Sequence, residues 1–329
     1  MLNADARREA VGFFASALPI AMVDGIKLLI PALSTMVAGH DDTTTLAAAS
    51  LGVLTFNVCG NMIATAPLSA MDTIAPQAYG AGNVVGVGLT AQRALILSAL
   101  FLLPTIPLWA CARTVLVALG QSSDVAERAS KYMLLLLPGL APLTVFEVVR
   151  KYLYAQGSSM ALRLPPLLAA LVGLALHPLW LALWCSCFGY MGAAVAMSMS
   201  YLTQAVVLIG WVRWRLPTAA KAWPSGGHRK LLWRDKAACL HMLKTSLAAL
   251  CSLTEWLYWE VVCFRVGTLG TTPLAVYGIA YSIEPVVFML PLGLSTGIAN
   301  AVCSPGIGDL ASMCPNPNPS PTPDPNPIP

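Results

Sequence analysis

The chain has 329 residues, of which 57% are hydrophobic and only 10% charged, with a formal net charge of +4 and a mean hydropathy of +0.69. Soluble domains carry about 25% charged residues, so this composition excludes an ordinary globular domain and predicts an all-α, polytopic transmembrane helical bundle. The nine cysteines follow neither a zinc spacing nor a disulfide framework, and the Lys and Arg residues flank apolar runs rather than forming a nucleic-acid patch.

Residues 1–10, MLNADARREA, are polar and lack the pattern of a secretory leader. Eight apolar segments follow, at about 11–38, 46–70, 92–119, 130–149, 164–185, 189–212, 238–264 and 272–302. Lipid leaves no water to satisfy backbone groups, so runs of this length are expected to be helices. The first holds Asp24 and Lys27 at i, i+3, which is expected to be a local ion pair. The second carries Asn57, a polar residue suited to helix contact or to substrate, and leads into SAMDTIAPQAYGAGN. There Asp72, Gln77, Tyr79 and Gly80 precede a glycine turn into the third segment, and Asp72, Gln77 and Gly80 are expected to act as a structural hinge and gate.

Glu147 stands three and four residues before Arg150 and Lys151 at the end of the fourth segment, where charge pairing along the helix is expected. His177, beside Pro178 in the fifth segment, is expected to be a packed hydrogen-bonding residue. Between the sixth and seventh segments the stretch 213–237 is basic and predicts a cytosolic linker.

The seventh segment contains SLTEWLYWEVVCF. Glu255 lies near its middle, with Tyr258 and Trp259 on its face. An intramembrane carboxylate is a functional candidate by default, and aromatic faces beside it can hold an organic cation. Burial penalises the charged form, so a proton can compete with that cation. Glu260 is turned about 140° from Glu255 on an ideal helix and stands nearer the outer interface. In the eighth segment Tyr277, Tyr281 and Glu284 form a stripe ahead of Pro285. No metalloprotease, P-loop or nucleophile-elbow pattern occurs, so neither catalytic nor metal-binding residues are expected. Residues 304–329 alternate proline with polar residues and predict an extended, disordered tail.

Basic residues set the orientation. Arg7, Arg8, Arg93, Arg150, Lys151, Arg163, Arg213, Arg215, Lys221, Arg229, Lys230, Arg234 and Lys236 fall on one side, against Arg113, Arg128, Lys131 and Arg265 on the other, which predicts a cytosolic N-terminus. A repeat is visible too: Gly39, Thr43, Thr44, Leu46 and Ala47 recur at one constant offset as Gly267, Thr271, Thr272, Leu274 and Ala275. Six spans separate the copies, which predicts parallel repeats with a site between them. The domain reading is a six-helix lobe over 11–212 and the first two helices of an incomplete second lobe over 238–303. The same offset carries Asp72 onto Asn300.

These motifs resemble the multidrug and toxic compound extrusion (MATE) family. NVCGNMIATAPLSAMDTIAPQAYGAGN looks like the family's second helix and turn, and AQRALIL, FEVVRKYLYAQG and FGYMGAAVAMSMSY are similar to the segments that follow. TEWLYWEVVCF and YSIEPVVFMLPLGLS resemble its seventh and eighth helices. The resemblance implies a partial MATE-like fold, truncated after the eighth helix, in a plasma, vacuolar or other internal membrane. It implies an antiporter that exports organic cations or other small compounds in exchange for protons, or less often sodium, with no bound cofactor. Glu255 and Glu260 fall on the family's acidic positions and Asn57 on a polar one, while its acidic position in helix eight falls on Ser282, two residues before Glu284. The alternative is a non-transporting relative that binds small molecules or regulates a full-length partner. Such a chain is expected either to complete its second lobe by self-association or to be a fragment of a longer protein.

Overall fold

The computed structural model describes residues 4–40, 42–157, 159–217, 235–251 and 254–281, with Trp223, Ile283, Phe288, Pro291 and Ser295; side chains are described from Leu18 onward, except those of 254–256. The helices are α1 (Ala4–Ala38), α2 (Thr43–Phe56), α3 (Ile63–Gly80), α4 (Val84–Leu102), α5 (Thr105–Ala110), α6 (Ala112–Ala118), α7 (Ser123–Ala155), α8 (Met160–Phe188), α9 (Met191–Arg215), α10 (Lys236–Cys251) and α11 (Thr254–Gly267). Residues 271–281 are helical as well. Among the described residues six stretches are long and apolar enough to cross a membrane: Leu18–Ala38, Thr43–Gly80, Val84–Ala110, Ser123–Ala155, Met160–Phe188 and Met191–Arg215. The seventh expected segment is described as α10 and α11, on either side of 252–253. Most of the eighth, with Ser282, Glu284 and Asn300, lies outside the described residues, as does 304–329.

Helix limits depart from the apolar limits for identifiable reasons. The second span runs past residue 70 to Gly80, ending just before the Gly82 turn, and a π-helical segment, Asn57–Met62, joins α2 to α3 without a break. The third breaks after Leu102, ahead of Pro104, which cannot donate a helical hydrogen bond, and resumes as the short α5 and α6. Side-chain caps start several helices, among them α2, α4 and α7. Asp42 accepts from the Thr45 amide at 2.5 Å, Asn83 from Gly86 at 2.8 Å and Ser122 from Val125 at 3.4 Å. The turn into α4 uses Gly82, whose φ of +76° suits glycine, while Gly80 is simply the last residue of α3.

α7 is the central helix. It packs on α2, α3, α4 and α9, and α8 and α9 close the bundle against α1. The buried faces are rich in alanine, and such small residues let helices approach closely where lipid provides no hydrophobic drive. His177 on α8 is buried between α1 and α9. Ser200 Oγ donates to the Ala196 carbonyl at 3.0 Å, so it accepts from His177 Nδ1 at 2.8 Å. That leaves Nε2 to accept from Ser34 Oγ at 3.1 Å. The packed hydrogen-bonding role expected of this histidine is what the geometry contains.

The repeated motif also meets itself. Leu46 N bonds to Asp42 O at 3.1 Å, and its counterpart Leu274 N bonds to Gly270 O at 3.3 Å. Leu274 and Ala275 share an apolar cluster with Leu46 and Ala47. Ser50 and its counterpart Gly278 touch, and a Cβ at Gly278 would overlap the Ser50 side chain. Corresponding positions therefore face one another between α2 and the 271–281 helix.

Candidate functional site

A site can be built outward from that contact. Thr55 is one turn further along α2. Its hydroxyl donates to Glu260 Oε1 on α11 at 2.7 Å, joining the first spans to the seventh. Glu260 is 3% exposed, and its Oε2 has no hydrogen-bond partner. Leaving a carboxylate oxygen unpaired in an apolar interior is expensive, so the arrangement calls for a proton or a cation there. Cys59 and Cys263 lie within electrostatic reach of the carboxylate. Asn57 opens the π-helical segment two residues after Thr55 and is half-buried. Such segments widen a helix locally and are frequent at functional sites.

The aromatic residues divide. The Trp259 carbonyl accepts from Tyr277 Oη at 3.0 Å, and Tyr277 stacks on Tyr281 with centroids 6.2 Å apart. Tyr281 lines a small cavity with Thr35, Ser50, Val53, Leu54, Cys263, Tyr277 and Gly278. Three pairs in this lining, Thr35 with Cys263, Ser50 with Gly278 and Val53 with Tyr281, are repeat counterparts. Tyr258, 63% exposed, meets Trp259 edge-on at 5.8 Å and is not part of that cavity's lining. Glu255 is a helical residue of α11 whose side chain lies outside the described residues. Glu284 lies outside them entirely.

The other charged residues form a second constellation. Asp24 and Lys27 make the expected pair at 3.3 Å, but they do not act alone. Lys27 also reaches Glu147 at 2.6 Å, and Arg150 reaches both Asp24 at 3.0 Å and Glu147 at 2.5 Å. Two acids and two bases thus join α1 to α7 in a closed, charge-balanced ring. Glu147 is 2% exposed rather than surface-paired. The expectation of pairing along one helix is corrected for Lys151, whose ion pair is with Asp72 on α3. Asp72 thus faces α7, while the half-buried Gln77 stands five residues further along α3, toward the turn into α4. Sequence reasoning missed Thr55 altogether. The one available signal was a hydroxyl two residues before Asn57 in an otherwise apolar run.

A family model described as MatE matches residues 19–179 and 248–309, which include every residue of both constellations. The chain belongs to the MatE family. It is similar to Multidrug and toxin extrusion protein 1 of Xenopus tropicalis, 29% identical over 289 residues that cover 87% of this chain and 49% of that protein. It is similar to Multidrug and toxin extrusion protein 2 of Mus musculus, 27% identical over 301 residues, 92% of this chain and 51% of that one. The chain spans about half the length of these curated relatives. Its fold matches the crystal structure of the eukaryotic MATE transporter AtDTX14 with a TM-score of 0.78 at 21% identity, covering 93% of this chain and 68% of that one. A MATE structure in the bent conformation matches with a TM-score of 0.67 at 19% identity. This MatE protein is an integral, multi-pass membrane protein.

Proposed function

We propose that this MatE chain belongs to an efflux transporter that exports organic cations or other small compounds in exchange for protons, with Glu260 as the exchanging carboxylate. The observation that carries the reading is the buried Glu260 carboxylate, tethered by Thr55 on one oxygen and unpaired on the other. A carboxylate so placed can hold a proton or a cation but is poorly suited to holding both, which is sufficient for antiport. The reading is supported by the repeat contact around Ser50 and Gly278 close to Glu260, since transporters built from repeats bind their substrates between them. Glu255, Glu284, Asn57, Tyr258, Trp259 and Tyr281 are proposed to complete the substrate and proton path. Sodium is the alternative coupling ion. The N-terminus is proposed to be cytosolic, in the plasma membrane or an internal one.

The test is uptake of a radiolabelled organic cation into vesicles of defined composition, reconstituted with the folded chain and with an imposed pH gradient. Gradient-driven uptake is expected, falling at least tenfold in Glu260→Gln. Thr55→Val is expected to preserve uptake while shifting its pH profile, because it removes a hydrogen bond to the exchanging group and no charge. Absence of gradient-dependent flux in folded wild type would overturn the reading.

A further inference from the structure

On α7, Val145, Val148, Val149 and Tyr152 fall on one helical face, and Glu147, Arg150 and Lys151 on the opposite one. The charged face is engaged with α1 and α3. The other face looks into a groove of about 330 Å³ between α4, α7 and α9, within the range of about 300–1,000 Å³ that ligand sites occupy. Leu95, Val149, Ile209 and Val212 are among its walls. Ile209 is 43% exposed, so the groove opens to the surface that six spanning helices turn toward lipid.

The groove is not uniformly apolar. α7 and α9 are separated by one span and run in the same direction, so Tyr152 and Arg213, both late in their helices, mark the same end of it. There Tyr152 meets Trp223 edge-on, with centroids 5.4 Å apart at 84°. Paired Tyr and Trp rings are typical of the headgroup level. Arg213 lines the groove in the exposed last turn of α9, and no carboxylate among the described residues pairs with it. An apolar channel with aromatic rings and a guanidinium at one end suits an acyl chain ending in a phosphate. A guanidinium binds phosphate through two parallel hydrogen bonds.

We propose that this groove binds one anionic phospholipid, with an acyl chain along Val145, Val149, Ile209 and Val212 and its phosphate on Arg213. The apolar walls would accept any lipid tail, whereas Arg213 supplies the preference for a net negative headgroup. The site lies away from Glu260, so it stands or falls independently of the transport reading.

The experiment is native mass spectrometry of the full chain in detergent, titrated with palmitoyl-oleoyl phosphatidylglycerol or with phosphatidylcholine of the same chains. Wild type is expected to retain one phosphatidylglycerol in preference to phosphatidylcholine. Arg213→Gln should weaken phosphatidylglycerol retention about fivefold and phosphatidylcholine less, because both lipids carry the phosphate but only phosphatidylglycerol has a net negative headgroup, so the preference between them narrows. Val149→Trp, which fills the groove, should abolish the retained lipid while keeping Arg213; Val212→Trp on the facing wall serves if that variant does not fold. Glycerol phosphate, a headgroup without chains, should not displace the lipid. Equal retention of both lipids by wild type, or an unchanged preference in Arg213→Gln, overturns the proposal. Displacement by glycerol phosphate alone overturns the acyl-chain assignment.

Discussion

At the scale of single residues, short polar side chains decide local geometry. Asp42 both caps α2 and faces Arg128, which lies 3.3 Å away on α7 and also bonds Thr45 Oγ1 at 2.7 Å. The Thr45 amide, with Arg128 adding to it, holds the Asp42 carboxyl below the usual value of 3.8. A depressed folded value means that the charged form stabilises the fold. This contribution is fully present above about pH 4 and fades as pH falls through the lower folded value. Asp42→Ala is therefore expected to lower stability by about 1 kcal/mol at neutral pH, the usual worth of an N-cap. The deficit should shrink in acid, as thermal unfolding in detergent at several pH values would reveal. Asp42 was not singled out by sequence, because the HDDTTT stretch offers two adjacent aspartates and several hydroxyls, and only the backbone path selects the one that caps.

At the scale of helices, the ring of Asp24, Lys27, Glu147 and Arg150 ties α1 to α7 through side chains. Arg150 also lies 5.6 Å from the centre of the Tyr154 ring. Buried ion pairs contribute little net stability when intact, but breaking one leaves an uncompensated charge that costs about 3–5 kcal/mol. Arg150→Met should accordingly be severely destabilised. Glu147→Leu combined with Arg150→Met should recover most of that loss, because Asp24 and Lys27 remain as a neutral pair. A double-mutant cycle on thermal unfolding measures the coupling. If the double variant is as unstable as Arg150→Met, the ring does not behave as a charge-balanced unit. Helical spacing made the two local pairs legible. It could not join them, because residues 120 positions apart come within side-chain reach only in the assembled bundle.

At the scale of the molecule, the repeat is the organising feature. Ser50 and Gly278 are counterparts that contact one another, and the absent side chain at Gly278 makes room for the hydroxymethyl group of Ser50. Gly278→Ala is expected to cost about 1–3 kcal/mol by overpacking, and adding Ser50→Gly should restore most of it by exchanging the two side chains across the contact. Paired melting curves would test this, and lack of rescue would mean that the two positions do not share one space. The same reciprocity explains why the small cavity beside Tyr281 is lined by matched pairs.

Composition alone determined that this is a bundle of membrane-crossing helices, because a chain with so few charges has no soluble fold to adopt. Ordered motifs such as MDTIAPQAYGAG pointed to the MATE family, and the helical offset of Glu255 and Glu260 established that the two cannot share a face. The tertiary structure alone decided which polar groups meet. It paired Thr55 with Glu260, Lys151 with Asp72, and the charges of α1 with those of α7. It also opened a groove on the far face of α7. The division has a physical cause. Helix formation in lipid follows from local backbone satisfaction, which any apolar run achieves by itself. Side-chain partnership in a bundle depends on helix rotation and register, and these are set jointly by all the contacting faces.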